Sequence, residues 1–444
     1  MMIIITMKTA VFAVTALLLL QLLPSCCALS NTTTRRIIDL SQDFPQDELA
    51  MTSSPGAAAI QQVASQDPLI RAAIVLEHGD VVASYHRDDV YPNETMFHVF
   101  STTKSWTSLL LGMLVEDGQL SLDETLGDVF PNNDAWANVT DGSAEFRKNV
   151  TIEEMLTMTS GLISPPSSAS ESEELISELY LGGSSLQDSL SYPNVGVKGE
   201  FSYLGTSNIP SYIIKERSGM TPRQYLAENV MGELGIGEDE YDWQQNVEGV
   251  EHGYIGLELT PMQMAKFGQL YLQGGRTNPS NDARLISQEW IDDSFTQHAT
   301  ESTFGIPYGY LFWRHGMKST AWCAIGLGGQ EICIDRDAGR VVIQQRDLTD
   351  DIAGLINGEG HYILSTVALD ESLSFRAGND GVLSNSPTLS PSKNSNDAVS
   401  TQPSTARNED GEKPSSQSDT SGNGNLKVME CIWVLGLSVL VAVY

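Results

Sequence analysis

The chain has 444 residues, enough for one large domain or two, and 41% of them are hydrophobic, which suffices for a sizeable core. Its formal charge of −32 at pH 7 excludes nucleic acid as a partner, because a phosphate backbone needs a basic surface. The histidines and cysteines form no HExxH motif and no Cys/His cluster, so we expect no metal site and no cofactor.

The first 28 residues have the pattern of a secretory signal peptide. Lys8 is their only charge, residues 10–23 are apolar, and Ala28 offers a small residue for cleavage. An N-terminal segment, residues 29–69, follows. N-glycosylation sequons occur at Asn31, Asn93, Asn138 and Asn149. Together these features predict a secreted glycoprotein.

Residues 97–118, FHVFSTTKSWTSLLLGMLVEDG, predict one helix that begins at or just before Ser101 and ends at Gly118. The body is apolar nearly all round, which is typical of a helix in the middle of a domain. Spacing i, i+3 puts Ser101 and Lys104 on one face of the first turn. A desolvated lysine beside the positive end of a helix can lose its proton near neutral pH and accept one from serine. The alternative is a plain capping serine beside a solvated lysine.

The remaining elements predict an α+β fold. Residues 70–87 form two β-rich runs around His78-Gly79-Asp80, a hairpin, and residues 120–300 are mostly helical, with helices starting after Thr151 and Thr260. Further strands are predicted near residues 308–313, 322–325, 331–334 and 340–345, and a closing helix over 362–369. Strands near both ends predict an antiparallel sheet built from both chain ends, with helices packed on it and a large helical insertion. This domain is expected to span residues 70–372.

Residues 373–427 are rich in Ser, Asn, Pro and Gly and cannot bury a core, which predicts a disordered stalk. Residues 428–444 are apolar except for Glu430 and follow small residues and a polar spacer, the pattern of a GPI-attachment signal. A short membrane-spanning tail is the competing interpretation. Either anchor predicts a position on the extracellular face of the plasma membrane, and a freely secreted protein is the alternative.

Six segments, in this order, resemble the serine β-lactamase-related family, which includes class C β-lactamases, D-aminopeptidases and 6-aminohexanoate-dimer-hydrolase-like proteins. They are FSTTKSWTSLLLGMLVEDGQLSLDETL, VTIEEMLTMTSGL, GEFSYLGTSNIPSYIIKERSG, LELTPMQMAKFGQLYLQGGR, YGYLFW and GLGGQEICID. The resemblance implies a β-lactamase/transpeptidase-like fold and a serine hydrolase.

The resemblance also implies the catalytic residues. Ser101 and Lys104 match the family's Ser-x-x-Lys, and Tyr203 matches its catalytic tyrosine. The family's tyrosine usually begins Tyr-x-Asn or Tyr-x-Ser, whereas Gly205 stands at the third position here. Tyr192, in a literal Tyr-x-Asn, ranks second because no helix signal follows it.

The family's third element, Lys/His-Thr/Ser/Gly-Gly on a strand beside the nucleophile, corresponds to Leu327-Gly328-Gly329, so the cationic residue is missing. Its loss should weaken binding of a substrate carboxylate, which argues against a β-lactamase or carboxypeptidase. The N–H groups of Ser101 and Gln330 are expected to form an oxyanion hole. Gly328 and Gly329 would let a bound acyl group approach the backbone.

These observations predict a secreted or surface-attached serine hydrolase that cleaves a small amide or ester through a Ser101 acyl-enzyme. An α/β-hydrolase esterase is a weaker candidate because Gly-x-Ser-x-Gly is absent. A catalytically silent surface binding protein on the same fold is the other alternative, and Leu327 and Gly205 favour it. Lys104 and Tyr203 are expected to share the base and acid roles, and the sequence does not indicate which of them takes the first proton. It also indicates neither the natural substrate nor the oligomeric state.

Two cysteines, Cys323 and Cys333, remain once the signal and tail are removed, in an oxidising compartment. They lie symmetrically about Gly328, as facing residues of a hairpin would. We therefore consider a cross-strand disulfide, which would be prevented if the strands diverge near Leu327.

Overall fold

The structure is a computed structural model that describes residues 36–87, 90–163, 185–192, 195–203, 208–280, 282–301, 305–349 and 360–376. The predicted signal peptide, Asn31, Gly205, the terminal hydrophobic tail and all of the predicted stalk beyond Arg376 lie outside these ranges.

The described strands are β1 (Ile70–Glu77), β2 (Asp80–His86), β3 (Phe97–His98), β4 (Asp242–Trp243), β5 (Leu257–Leu259), β6 (Ala299–Thr300), β7 (Pro307–Tyr308), β8 (Trp313–Arg314), β9 (Ala321–Gly326), β10 (Gln330–Asp335) and β11 (Arg340–Arg346). The described α-helices are α1 (Glu48–Ser53), α2 (Pro55–Gln66), α3 (Thr103–Glu116), α4 (Leu126–Val129), α5 (Ala144–Lys148), α6 (Ile152–Leu156), α7 (Leu186–Ser191), α8 (Ile209–Ser218), α9 (Pro222–Leu226), α10 (Pro261–Leu272), α11 (Gln288–Ser294) and α12 (Ile363–Ala368). Shorter turns are 3-10 at Phe100–Thr102, Asp134–Asn138 and Gly232–Leu234, and π at Ala227–Met231.

The main sheet is antiparallel and is built from both ends of the domain, as predicted. Its strand order is β2-β1-β11-β10-β9-β8-β7-β6, and Ile70 of β1 lies opposite Arg346 of β11. The β1–β2 hairpin turns at His78 (φ 54°) and Gly79 (φ 90°), the left-handed pair that a two-residue hairpin requires. A small sheet, β3-β5-β4, lies beside the helical region.

Helices cover both faces of the main sheet. Ile332 and Val341 face α10, where Gly268 permits close contact because a Cβ there would lie 2.4 Å from Val341 Cγ1. Glu331 and Gln344, the neighbouring positions, point to the opposite face and hydrogen-bond to α12. The sheet is therefore the middle of three layers, and helix α3 packs against α10.

Helix α3 is buried nearly all round, as its composition predicts. Trp106, Leu110 and Leu114 are fully buried, and the Trp106 ring stacks on Phe267 of α10 at 4.3 Å between centroids. A side chain at Gly112 would lie 2.4 Å from the Trp290 ring, so only glycine allows that approach. The helix is a rigid support for whatever its first turn presents.

The helix starts predicted at Thr151 and Thr260 are both capping boxes. The Thr151 hydroxyl accepts from the backbone N–H of Glu154. In return, the Glu154 carboxylate accepts from the backbone N–H of Thr151. Thr260 and Gln263 make the same reciprocal pair at the start of α10. Each cap contributes roughly 1 kcal/mol to the stability of its helix.

The fold extends beyond the boundaries predicted from sequence, 70 and 372. Helix α2 packs on β2 and on α12, and the Gly56 N–H donates to the Ser374 carbonyl at 2.9 Å. Phe375 is buried, and its ring occupies the space that a side chain at Gly56 would need. Residues 36–69 and 373–376 therefore belong to the packed domain.

Cys323 of β9 and Cys333 of β10 face each other and are joined by a disulfide, with 4.1 Å between their Cα atoms. The two strands stay paired from Ala321–Asp335 to Gly326–Gln330 and separate only at the turn.

No helix within the described ranges is long and apolar enough to span a membrane. The same residues hold no cluster of three or more side chains suited to a metal ion.

Candidate active site

Ser101 lies in the 3-10 turn Phe100–Thr102, just before α3 begins at Thr103. The α-helix therefore begins two residues after Ser101 rather than at or just before it as predicted, and Ser101 is not its N-cap. Thr102 takes the cap position, and its side chain accepts no capping hydrogen bond from the first turn of α3. The Ser101 hydroxyl is therefore not used to cap α3.

Lys104 lies within hydrogen-bond distance of Ser101. Its Nζ is 2.9 Å from Ser101 Oγ and 3.2 Å from the Tyr254 carbonyl oxygen. The residue is only 4% exposed, and this removal from water lowers the pKa of Lys104 to about 7. A buried, readily deprotonated lysine in contact with the serine matches the catalytic interpretation and not that of a solvated lysine.

Tyr203 completes the group. Its hydroxyl hydrogen-bonds with Ser101 and with Trp313, and Lys104 Nζ lies 4.6 Å from the centre of its ring. An indole N–H can only donate, so Trp313 donates to the Tyr203 oxygen. Burial raises the pKa of Tyr203 to about 12, although both hydrogen bonds act in the opposite direction. The phenol is therefore protonated throughout the neutral range.

The turn before β5 forms the wall behind Lys104. The Tyr254 carbonyl accepts from Lys104, and the adjoining Gly253 is fixed from two sides. Thr107 of α3 donates to the Gly253 carbonyl at 2.7 Å, and Asn208 accepts from the Gly253 N–H at 2.8 Å. The lysine amine is thus positioned by backbone that is itself held by buried side chains.

Aromatic rings form one side of the site. Trp313 lies 4.6 Å from Tyr308 and 5.3 Å from Tyr203 between ring centroids, and Phe201 lies 5.2 Å from Tyr308. Tyr308 and Trp313 are buried, whereas Phe201 and Tyr203 are half-buried. The described surface beside Ser101 is therefore apolar.

The register of β9 and β10 bears on the predicted oxyanion role of the Gln330 N–H. Cys323 and Cys333 have the short Cα spacing of a non-hydrogen-bonded pair, at 4.1 Å. Three steps along the ladder, alternation makes Gly326 and Gln330 a hydrogen-bonded pair, so the Gln330 N–H points at Gly326. Leu327 follows Gly326 directly and begins the turn between β9 and β10, outside the paired ladder. Because the Ser101 turn contacts Gly326, Leu327 is the better candidate for an oxyanion donor.

The two glycines also have a role in the turn that the prediction did not include. Gly328 (φ 77°) and Gly329 (φ 90°) have the left-handed backbone of a tight turn. A side chain at Gly329 would meet the Gly360 carbonyl at 2.4 Å, and Gln344 Nε2 donates to the Gly329 carbonyl at 2.7 Å. Gly329 thus allows the turn to pack closely against Gly360 and Gln344.

Three residues contribute to the site in ways that the sequence did not predict. Trp313 lies on a predicted strand, within YGYLFW, that carries no predicted role, and Tyr254 acts through its backbone, which leaves no signal in a sequence. Leu327 is predicted only as the replacement of a cation. Tyr192, the second candidate tyrosine, lies in the core, where its carbonyl accepts from Arg147.

The arrangement of sheet and helices is the β-lactamase/transpeptidase-like fold, with a serine, a lysine and a tyrosine grouped at the start of the central helix. The model of the Beta-lactamase family matches residues 51–344, and the chain belongs to that family. Members of the family are serine hydrolases, including amidases and esterases.

Solved structures show the same fold. The chain is similar to a proposed 6-aminohexanoate-dimer hydrolase from Bacillus anthracis, with a TM-score of 0.55 and 16% identity over 75% of this chain and 89% of that one. The chain is also similar to a penicillin-binding protein from Bacillus halodurans, with a TM-score of 0.51 and 17% identity over 69% of this chain and 97% of that one. For a penicillin-binding protein homologue from Pyrococcus abyssi the TM-score is 0.51 and the identity 20%, over 66% of this chain and 73% of that one. A search of curated protein sequences finds no match.

Proposed function

We propose that this protein is a secreted or cell-surface serine hydrolase that cleaves a small, uncharged amide or ester through an acyl-enzyme on Ser101. The observation that carries the proposal is the buried contact of 2.9 Å between Lys104 Nζ and Ser101 Oγ, beside the Tyr203 hydroxyl. A catalytically silent binding protein would have no need of a lysine held at that distance in an apolar site.

The protonation states assign separate roles to the two partners. Lys104, with a pKa of about 7, accepts the Ser101 proton as the hydroxyl attacks the carbonyl carbon. Tyr203, with a pKa of about 12, keeps its proton and delivers it to the leaving group. The N–H groups of Ser101 and Leu327 stabilise the oxyanion. Water then deacylates the serine by the reverse proton transfers.

The surroundings of Ser101 favour a substrate without a carboxylate. Leu327 occupies the position at which the family resemblance implies a cation. Phe201 and Tyr203 are half-buried and contribute aromatic surface to the site. Arg346, behind the turn, is paired with Asp67 at 2.9 Å and is nearly buried. That guanidinium is already neutralised, so it does not replace the missing cation.

A matched pair of substrates tests the proposal. The purified protein should hydrolyse p-nitrophenyl butyrate at least about tenfold better, in kcat/KM, than the mono-p-nitrophenyl ester of glutaric acid, because the carboxylate finds no partner. Leu327→Lys should reverse part of that ratio by supplying a cation. Equal kcat/KM for both esters, unchanged in Leu327→Lys, would contradict the substrate class. Absence of hydrolysis of esters and of a small-amide panel would contradict the function.

Three sequon asparagines within the described ranges, Asn93, Asn138 and Asn149, are exposed, which supports passage through the secretory pathway. The Asn149 amide also donates to the Glu145 carbonyl at 2.6 Å, at the end of α5. We extend the proposal to attachment by a GPI anchor, on the strength of the apolar C-terminal run that follows a polar spacer.

Phosphatidylinositol-specific phospholipase C should release the full-length protein from the surface of expressing cells, because a GPI anchor is cut between glycan and lipid. Immunoblotting of medium and cells before and after treatment measures the release. Peptides from residues 431–444 in the mature protein would instead establish a retained tail, and protein found only in the medium of untreated cells would establish secretion.

A further inference from the structure

The residue before Ser101 has a backbone conformation that residues other than glycine rarely adopt. Phe100 has φ 50°, in the left-handed region. Such a conformation is unfavourable and persists only where its surroundings hold it. Because Phe100 directly precedes the nucleophile, whatever holds it also sets the direction of the Ser101 side chain and N–H.

His98 holds this turn through one ring nitrogen. The Phe100 N–H donates to His98 Nδ1 at 2.9 Å, an i to i+2 hydrogen bond that closes over Val99. The two rings also pack together, with 4.2 Å between centroids. His98 is 4% exposed, and burial together with the nearby His252 lowers the pKa of His98 to about 4, so the ring is neutral and Nδ1 can accept.

The second ring nitrogen does not explain the presence of a histidine. His98 Nε2 is buried and has no hydrogen-bond partner among the described residues. A buried N–H left without a partner lowers the stability of the folded protein, because its hydrogen bond to water is lost on folding. The hydrogen bond to Nδ1 therefore stabilises the turn, whereas the buried Nε2 N–H lowers the stability of the protein.

The other side of the turn is held by the sheet. A side chain at Gly326 would lie 2.3 Å from the Val99 carbonyl, so the end of β9 rests directly on the turn. Thr102 donates to the Gln330 carbonyl at 3.3 Å and fixes the residue after Ser101. His98 supplies the restraint on the side away from these strands.

We propose that His98 is a positioning residue for the nucleophile: by accepting the Phe100 N–H, it sets the turn that directs Ser101 Oγ toward Lys104. The inference rests on the proposed function, since it assigns His98 an effect on the reaction of Ser101.

Two substitutions separate the nitrogens. Asparagine places its side-chain oxygen where Nδ1 lies, two bonds from Cβ, whereas glutamine places its amide near Nε2. His98→Gln should lower kcat for p-nitrophenyl butyrate about 100-fold with KM changed less than about threefold, because misplacement of the attacking atom by about 1 Å costs that much. His98→Asn should retain kcat within about threefold. Fluorophosphonate labelling of Ser101 should slow in parallel with kcat.

His315 provides a matched control. It is also buried, and its Nδ1 accepts the N–H of Met317, again at i+2, at 3.2 Å, and that of Lys318 at 3.0 Å. Unlike His98, its Nε2 has a partner, the Ser365 hydroxyl at 3.2 Å. It lies near the start of β9, at the end opposite Gly326, where the backbone N–H of His315 donates to the Ala321 carbonyl. His315→Gln and His315→Asn should lower the thermal unfolding midpoint to a similar extent as the His98 pair but leave kcat within about twofold.

The results distinguish the outcomes. Retained kcat in a folded His98→Gln protein, or equal loss in His98→Asn and His98→Gln, would overturn the positioning role. Should His98→Gln fail to fold, His98→Leu serves in its place, since it removes the acceptor and the buried Nε2 together. A parent protein that neither hydrolyses ester nor labels at Ser101 would overturn the proposed function instead.

Discussion

Ser101→Ala is expected to abolish ester hydrolysis, with a loss of at least about 10⁴-fold in kcat, because no other group can form the acyl-enzyme. A fluorophosphonate probe should add its mass to the peptide containing Ser101 in the parent protein and to no peptide in the variant. The fold should be nearly unaffected. Ser101 does not cap α3, and Lys104 keeps its contact with the Tyr254 carbonyl, so we expect a loss of stability of about 1 kcal/mol or less.

Ser108→Ala is the matched control for that experiment. Ser108 lies on the same helix, is fully buried, and its hydroxyl has no hydrogen-bond partner among the described residues. Its removal should leave hydrolysis and labelling unchanged. If Ser101→Ala hydrolysed ester as fast as the parent, the acyl-enzyme mechanism would be wrong and a silent binding protein would become the better interpretation.

Activity is expected to rise with pH through about 7, since only neutral Lys104 can accept the Ser101 proton. Burial disfavours the ammonium and lowers the pKa of Lys104 to about 7, so the base is lost as pH falls through that value. Roughly 1% of the lysine is neutral at pH 5 and roughly 90% at pH 8. The dependence of kcat/KM on pH, measured from 5 to 9, should show this single ascending limb.

Lys104→Met should lower kcat by on the order of a hundredfold or more and flatten the pH profile. Tyr203→Phe should cost a similar factor but keep the ascending limb, because Lys104 still titrates. The double variant should lose much less than the product of the two factors, since both residues serve one proton-transfer unit.

Lys266→Met controls for the removal of a buried lysine. Lys266 of α10 is also nearly buried, burial lowers its pKa, and its amine donates to the Leu234 carbonyl at 2.7 Å. Its loss should lower stability without moving the pH profile. An ascending limb that persisted in Lys104→Met would assign the base to another group.

Local chemistry explains which predictions from sequence succeeded. The His78-Gly79 hairpin, the Thr151 and Thr260 helix starts and the burial of α3 depend on neighbours within a few residues, which the sequence displays directly. The grouping of Ser101 with Lys104 also follows from spacing along one turn. The recognised family resemblance added the fold and Tyr203, which lies about a hundred residues further on.

The features that the sequence did not reveal depend on distant contacts. The left-handed backbone of Phe100 exists because His98 and the end of β9 hold it, and no local preference would place a phenylalanine there. The direction of the Gln330 N–H follows from the register of two strands, where a shift of one residue reverses every group. The attachment of α2 depends on contacts with residues beyond 360.

The pairing of Ile70 with Arg346 has a consequence for the order of events during synthesis. At roughly 5–20 residues per second, β11 leaves the ribosome on the order of tens of seconds after β1. Until then the β1–β2 hairpin has an open edge, and the chain between them cannot complete its sheet. In a secreted protein, Asn93, Asn138 and Asn149 would meet the glycosylation machinery during that interval.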